Sequence, residues 1–190
     1  MEQRLGFVVD LAKCLGCRSC EWACYNNHSW ETPFRYLREF YQQDKGKLIY
    51  LKYSYGCNHC EEPECIKACP EKSYYKKQNG IVLHDITKCS GCGDCIRACP
   101  FGAPQYNSSL GIVDKCDLCV SRLEQDLDPY CVEICPVNAI KVVDFKKIRE
   151  ENFSKECVGF TSIELTRPAI RFKKMDSQRQ ILIIKDKEAR

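Results

Sequence analysis

The chain has 190 residues, a formal net charge of +3 and 17 cysteines. Cysteine at that density excludes an ordinary globular domain and leaves a disulfide scaffold, a zinc protein or an iron–sulfur protein. The cysteine count is odd and Met1–Asp10 lacks a basic segment followed by an apolar one, so no secretory leader is expected and the disulfide reading is the weakest.

In chain order, Leu5–Leu11 predicts a short strand that runs into a first cysteine quartet, Cys14-x2-Cys17-x2-Cys20-x3-Cys24. Phe34–Gln43 and Lys47–Tyr55, rich in aromatics, flank Asp44-Lys45-Gly46 and predict a hairpin, read as core or subunit interface. The second quartet is Cys57-x2-Cys60-x4-Cys65-x3-Cys69, followed by Pro70. Ser73–Lys77 and Ile81–Asp85 flank Gln78-Asn79-Gly80, and Asn-Gly between β-prone runs is a hairpin signal. The third quartet, Cys89-x2-Cys92-x2-Cys95-x3-Cys99, precedes Pro100. Pro104–Asn107 and Ile112–Asp114 repeat the hairpin plan about a Ser-Ser-Leu-Gly turn. The fourth quartet, Cys116-x2-Cys119-x11-Cys131-x3-Cys135, precedes Pro136, and Ala139–Asp144 closes the pattern as a strand. Beyond it, Phe145–Asn152 predicts a short amphipathic helix, and Arg167-Pro168 and the charged end an extended tail. Cys157 alone stands outside the quartets and is read as a plain thiol.

Thiolates at i, i+3 and i+6 suit a loop wrapped around one corner of a cuboidal cluster. The fourth cysteine is expected to start a helical turn that points it away. In two-cluster ferredoxins the cysteine before proline ligates the other cluster, so the quartets must exchange their last members in pairs. Structural zinc sites use two CxxC pairs or add histidines. The only histidines here, His28, His59 and His84, form no such pair. Each unit of strand, cluster loop and short helix is half of a bacterial ferredoxin, present twice over.

No stretch nears the roughly 18 apolar residues of a membrane span, so a soluble or peripheral protein is expected. The last fifty residues carry 13 Lys/Arg against 8 Asp/Glu, which leaves the rest slightly acidic before any anionic cluster is added. Much of the nominal hydrophobic fraction is cysteine. A large aliphatic core is therefore not expected, and bound metal is expected to supply folding free energy. His59 reads as a solvated loop histidine, against the alternative of a donor or cation that raises a cluster potential. Lys13, Lys88 and Lys115 each precede a quartet and either stabilise anionic clusters or are solvated. Trp22 and Trp30 read as packing residues rather than electron relays. No nucleophile–base pair, dinucleotide glycine motif or nucleic-acid motif is present, so neither an enzyme in its own right nor a nucleic-acid binder is expected.

The stretches CLGCRSCEWAC, CNHCEEPECIKACP, CSGCGDCIRACPFGAPQYN, KCDLC through CVEICPVNAI, and TRPAIRFK resemble the four-cluster iron–sulfur subunits of molybdopterin oxidoreductases, most closely those of dimethyl sulfoxide, polysulfide and thiosulfate reductases. The resemblance implies an α+β fold of two nested ferredoxin-like domains. Residues 1–33 plus 105–144 would form the first, 34–55 an inserted hairpin, 56–104 the second, and 145–190 a C-terminal docking tail. It implies four [4Fe-4S] clusters, held by Cys14, Cys17, Cys20 and Cys135; Cys24, Cys116, Cys119 and Cys131; Cys57, Cys60, Cys65 and Cys99; and Cys69, Cys89, Cys92 and Cys95. Some relatives have Trp at the position of Cys92 and hold a three-iron cluster; a cysteine there implies a four-iron one. Quartet one has Tyr25 where the others have proline.

The implied role is electron transfer between a molybdenum or tungsten catalytic subunit and a polytopic, quinone-reactive membrane subunit. The Cys14 cluster would lie nearest the former and the Cys92 cluster nearest the latter. A soluble formate dehydrogenase or hydrogenase-type complex is the alternative. The implied location is peripheral to the membrane, on its outer face after export with the catalytic partner, with the cytoplasm as the alternative.

Overall fold

The structure is a computed structural model that describes residues 3–44, 47–160 and 162–173. The elements begin with β1 (Leu5–Val9), α1 (Ser19–His28), β2 (Arg35–Asp44), β3 (Lys47–Gly56) and α2 (Glu64–Lys67). Next come β4 (Tyr74–Lys76), β5 (Val82–His84), α3 (Asp94–Ala98), β6 (Gln105–Asn107) and β7 (Ile112–Asp114). The last are α4 (Val120–Leu123), α5 (Tyr130–Glu133), β8 (Ile140–Asp144), β9 (Phe153–Ser154) and β10 (Ile170–Lys173).

The proline after a quartet sets the length of its helix. In α2, α3 and α5 the third cysteine sits in the first turn, and the helix ends before Cys69-Pro70, Cys99-Pro100 or Cys135-Pro136. A residue before proline is held out of the helical region and proline offers no N–H. The helical turn therefore precedes the fourth cysteine, whereas the sequence reading had it begin there. With Tyr25 in place of proline, α1 runs on for ten residues to His28. Left-handed residues curl the loops ahead of these helices: Arg18, His59, Gly91, Leu118 and Cys119 all have positive φ.

The predicted hairpins form as β2–β3, β4–β5 and β6–β7. Val113 of β7 packs with Cys65, Tyr74, Val82 and Cys95, so the β6–β7 hairpin covers the segment before it. β1 pairs antiparallel with β8 from Leu5↔Asp144 to Val9↔Ile140, which brings the two ends of the cysteine-bearing segment together.

The C-terminal region differs from its sequence reading. Phe145–Asn152 forms turns and one 3-10 turn, Glu150–Asn152, in place of an amphipathic helix. Residues 170–173 are not a loose tail: β10 lies parallel to β1 through Phe7↔Ile170 and Val9↔Phe172, and pairs on its other side with β9. The charged end from residue 174 lies outside the described residues.

No large aliphatic core is expected from the sequence, and the main core is built around aromatic rings. Phe172 packs against Tyr53 at 5.5 Å and Phe160 at 5.1 Å, and Phe160 stacks on Phe101 at 5.3 Å. Val9, Ile81, Leu118, Ile140 and Ile170 fill around these rings. Tyr53 and Tyr55 come from β3, so that strand of the aromatic hairpin faces this core.

Candidate functional site

The cysteines converge in four groups. Cys14, Cys17 and Cys20 line one cavity with Cys135, walled by Val9, Arg18 and Ile140 (site I). Cys24, halfway along α1, meets Cys116, Cys119 and Cys131 among Phe7, His28, Arg35 and Tyr130 (site II). Cys57, Cys60, Cys65 and Cys99 lie within electrostatic reach of one another (site III). Cys69 joins Cys89, Cys92 and Cys95 beside Ser73, Tyr74 and His84 (site IV). Every group takes three cysteines from one quartet and one from another.

The sites follow one another in a line. Cys20 of site I is within reach of Cys131 of site II, Cys116 of Cys57 in site III, and Cys65 of Cys95 in site IV. The exposed members are Cys17 and Cys92, one in each end site. None of the seventeen cysteines is joined to another by a disulfide. Cys157 joins none of the sites: its thiol donates to the Val158 carbonyl at 3.6 Å, and burial pushes it up to about 12.

Burial pushes Cys24 up to about 11, Cys60, Cys65 and Cys119 up to about 12, and Cys116 well above the usual thiol range. A buried thiol keeps its proton unless another cation replaces it, and metal ligation does that. At the ends the balance differs. The Ser19 hydroxyl and amide hold Cys17 low. At Cys69 burial acts upward, yet the Ser73 hydroxyl and amide hold that thiol low too. Backbone amides also donate to sulfur, from Ala139 to Cys135 at 3.2 Å, Leu118 to Cys116 at 3.4 Å and Val113 to Cys89 at 3.5 Å. Hydrogen bonds of this kind set the potential of an iron–sulfur cluster.

The donor set fits [4Fe-4S] clusters: four sulfurs per site, amide donors and mainly apolar walls. Tetrahedral zinc also accepts four thiolates, but two-cluster ferredoxins are distinguished by the exchange of fourth cysteines seen here. His28, Asp117 and Cys119 bring ligand atoms within 4.8 Å of one another. Cys119 already belongs to site II, and His28 Nε2 lies 3.7 Å from its sulfur, a hydrogen-bonding partner at the margin of that site.

Residues 48–145 match the family model described as a 4Fe-4S dicluster domain. A chain of the anaerobic dimethyl sulfoxide reductase of Escherichia coli (strain K12) is 36% identical over 184 residues, 91% of this protein and 90% of that one. A subunit of the tetrathionate reductase of Salmonella typhimurium is 37% identical over 147 residues, 75% of this protein and 59% of that one. The iron-sulfur subunit of the nitrate-inducible formate dehydrogenase of Escherichia coli (strain K12) is 36% identical over 166 residues, 75% and 55%. This protein belongs to the iron–sulfur subunits of the molybdopterin oxidoreductase family. As such a subunit it transfers electrons and is not itself the catalytic component.

Within this iron–sulfur subunit several side chains depart from their sequence readings. His59 is not solvated: it is 0% exposed, and its Nδ1 accepts from the Val82 amide at 3.2 Å. Burial first, then the charges of Lys115, Arg35 and Arg4, push its pKa well below the usual value, which favours the neutral ring. Lys13 and Lys88 are exposed, whereas Lys115 is buried with its ammonium on the carbonyls of Val82 and Cys116. Burial opposes that charge, and the negative charge of Cys57, Cys65 and Cys116, once they are thiolates, outweighs it. Trp30 packs on Phe34 as expected, but Trp22 is 61% exposed. The sequence reading missed Arg35 and His28, which line site II. Neither stands in a cysteine motif, and nothing local to Arg35 distinguishes it from Arg38 on the same strand.

Proposed function

We propose that this subunit carries electrons through four [4Fe-4S] clusters, on the cysteines of sites I to IV, between a molybdenum or tungsten catalytic subunit and a quinone-reactive membrane subunit. The observation that supports it most is the line of four tetrathiol sites with an exposed cysteine at each end. A cluster at each site supplies one-electron chemistry without a change of ligands. The protein's own residues hold it, exclude water and set its potential. Sites I and II would make one ferredoxin-like unit from residues 1–33 and 105–144. Sites III and IV would make a second, from 56–104, nested within it.

The site I end is read as the face towards the catalytic subunit. Leu15, Trp22 and Tyr25 are exposed beside it, and Glu21, Trp22, Tyr25 and Pro33 surround a surface cavity there. The site IV end, with Cys92 exposed, then faces the membrane subunit. Among the described residues no helix is long and apolar enough to cross a membrane. We place the subunit peripherally on the outer face. The formate dehydrogenase type of complex is less favoured, because the match spans 90% of the dimethyl sulfoxide reductase relative and only 55% of the formate dehydrogenase one.

The complex purified without oxygen should contain about sixteen iron and sixteen acid-labile sulfide per copy of this subunit. Zinc in place of iron, or half that content, would sink the four-cluster reading. Cys92→Ser should abolish or alter one paramagnetic signal and impair quinol-linked turnover, while sparing turnover driven by a dye that reduces the catalytic subunit directly. Loss of dye-linked turnover in an intact complex would reverse the assigned ends.

A further inference from the structure

Arg35 opens β2 and is 1% exposed, among the largest fully buried side chains of the described residues. Its guanidinium lies over the Phe7 ring at 3.9 Å, and Nη1 donates to the Ser54 hydroxyl at 3.3 Å. Nε and Nη2 make no hydrogen bond of ordinary geometry among the described residues, although the guanidinium stands near enough to the Cys131 thiol to act on it as a donor, and no carboxylate there forms an ion pair with the group. A buried guanidinium with two unpartnered nitrogens, which carry three N–H groups, and no carboxylate counter-charge is costly, because arginine does not shed its proton. Such an arrangement persists only where something anionic and hydrogen-bond-accepting stands opposite it.

The surroundings identify that partner. Arg35 lines the site II cavity with Cys24, Cys116, Cys119 and Cys131, and Ser54, which it holds, lines site I. Burial acts against its charge, and Cys131, Cys116, Cys20 and Cys24 more than offset this. Gly56 lies opposite Arg35 in the β2–β3 ladder, and a Cβ there would stand 2.9 Å from the Phe34 carbonyl oxygen and in van der Waals contact with the guanidinium.

We propose that Arg35 is a positioning residue for the cluster of site II, donating Nε–H and Nη2–H to its sulfur atoms and holding its reduction potential above the value that amides alone would set. The inference rests on the reading of site II as a cluster site. Removing a buried positive charge beside a group that becomes more negative on reduction lowers its potential. Lysine keeps the charge without the planar fork and corrects only part of the loss.

The test uses the complete complex, titrated anaerobically and followed by electron paramagnetic resonance. Arg35→Met should weaken reduction of one cluster at least about tenfold, a fall of about 59 mV for a one-electron couple. Arg35→Lys should fall between Met and the parent, and full iron content is required in each preparation. Wild-type complex labelled with nitrogen-15 in the arginine guanidinium groups should show a nitrogen coupling on a reduced-cluster signal that vanishes in Arg35→Lys. That spectrum decides the matter even if Arg35→Met does not assemble. Unchanged potentials at full iron content, or no guanidinium coupling in the wild type, overturn the role of Arg35 alone. Low iron in the wild type overturns the cluster reading on which it stands.

Discussion

Replacing Phe172 by alanine tests whether the C-terminal strand belongs to the core. Phe172 is 1% exposed and touches Tyr53 and Phe160 at centroid distances of 5.5 and 5.1 Å. Truncating a buried phenylalanine costs about 3–5 kcal/mol, within which each aromatic pair carries about 0.5–1.5 kcal/mol. The β10–β1 ladder survives, so the loss is one of packing. Lys173→Ala is the control, because the Lys173 side chain is exposed and gives up only its ion pair with Asp10 at 3.4 Å, worth about 1 kcal/mol. Cluster loss makes unfolding irreversible, so the observable is a rate: bleaching of the visible cluster absorbance in guanidinium under anaerobic conditions. With about 1.4 kcal/mol per factor of ten, a loss of about 3 kcal/mol carried mainly by the unfolding limb accelerates bleaching about a hundredfold. The control should change it less than about fivefold. If Phe172→Ala bleached within threefold of the parent, the clusters alone would be holding the fold and the reasoning from the aromatic core would fail.

Other perturbations address single sites. Gly91 has φ 72°, and a Cβ there would strike the backbone carbonyl of Gly111, so Gly91→Ala should cost site IV its cluster; iron analysis should find about twelve per subunit in place of about sixteen. His59 is neutral when folded and can be protonated when unfolded, so the unfolded state binds more protons below pH ~6.5. Stability is therefore fully present above that pH and falls as the pH drops, by up to about 1.4 kcal/mol per unit, and His59→Gln should flatten the profile of unfolding rate between pH 5 and pH 7, about the unperturbed histidine value. Arg122 ties the fourth-quartet insertion through the Asp128 carbonyl at 2.7 Å, Glu133 at 2.5 Å and the Tyr130 ring at 4.1 Å. Arg122→Ala should speed limited proteolysis within residues 124–129, and an unchanged cleavage rate would show that the insertion is held by other contacts.

Local signals made the sites legible. Cysteines at recurring intervals, with proline after the fourth one in three of the four quartets, specify both loop and helix because the stereochemistry of proline acts on its neighbours alone. The three hairpins announced themselves through turn residues between β-prone runs. What was not legible depends on distant pairing. The partner of β10 is β1, and Phe7 meets Ile170 across 163 residues of sequence, with nothing near Ile170 to name its neighbour. A proline at 168 and a charged end read as tail, since burial of Ala169, Ile170 and Phe172 arises only once β1 is beside them.

The buried polar residues were illegible for a different reason. Arg35, His59 and Lys115 are as enclosed as the aromatic core, although sequence reasoning sends arginine and lysine to the surface. That rule rests on the cost of taking a charge out of water, and the cost is met when a fixed anion waits inside. On the proposed reading the anions here are thiolates and the clusters they would hold, and a residue-by-residue reading cannot see an anion that is not a residue. The two buried cations lie between successive sites: Arg35 is within reach of Cys20 of site I and Cys116 of site II, and Lys115 of Cys116 of site II and Cys57 of site III. If clusters occupy the sites, these charges stand between sites I and II and between sites II and III, where anionic centres would otherwise repel one another across low-dielectric protein. The cysteine pattern thus carries an unstated electrostatic requirement, and the hairpin β2–β3 and the strand before Cys116 supply the charges that meet it.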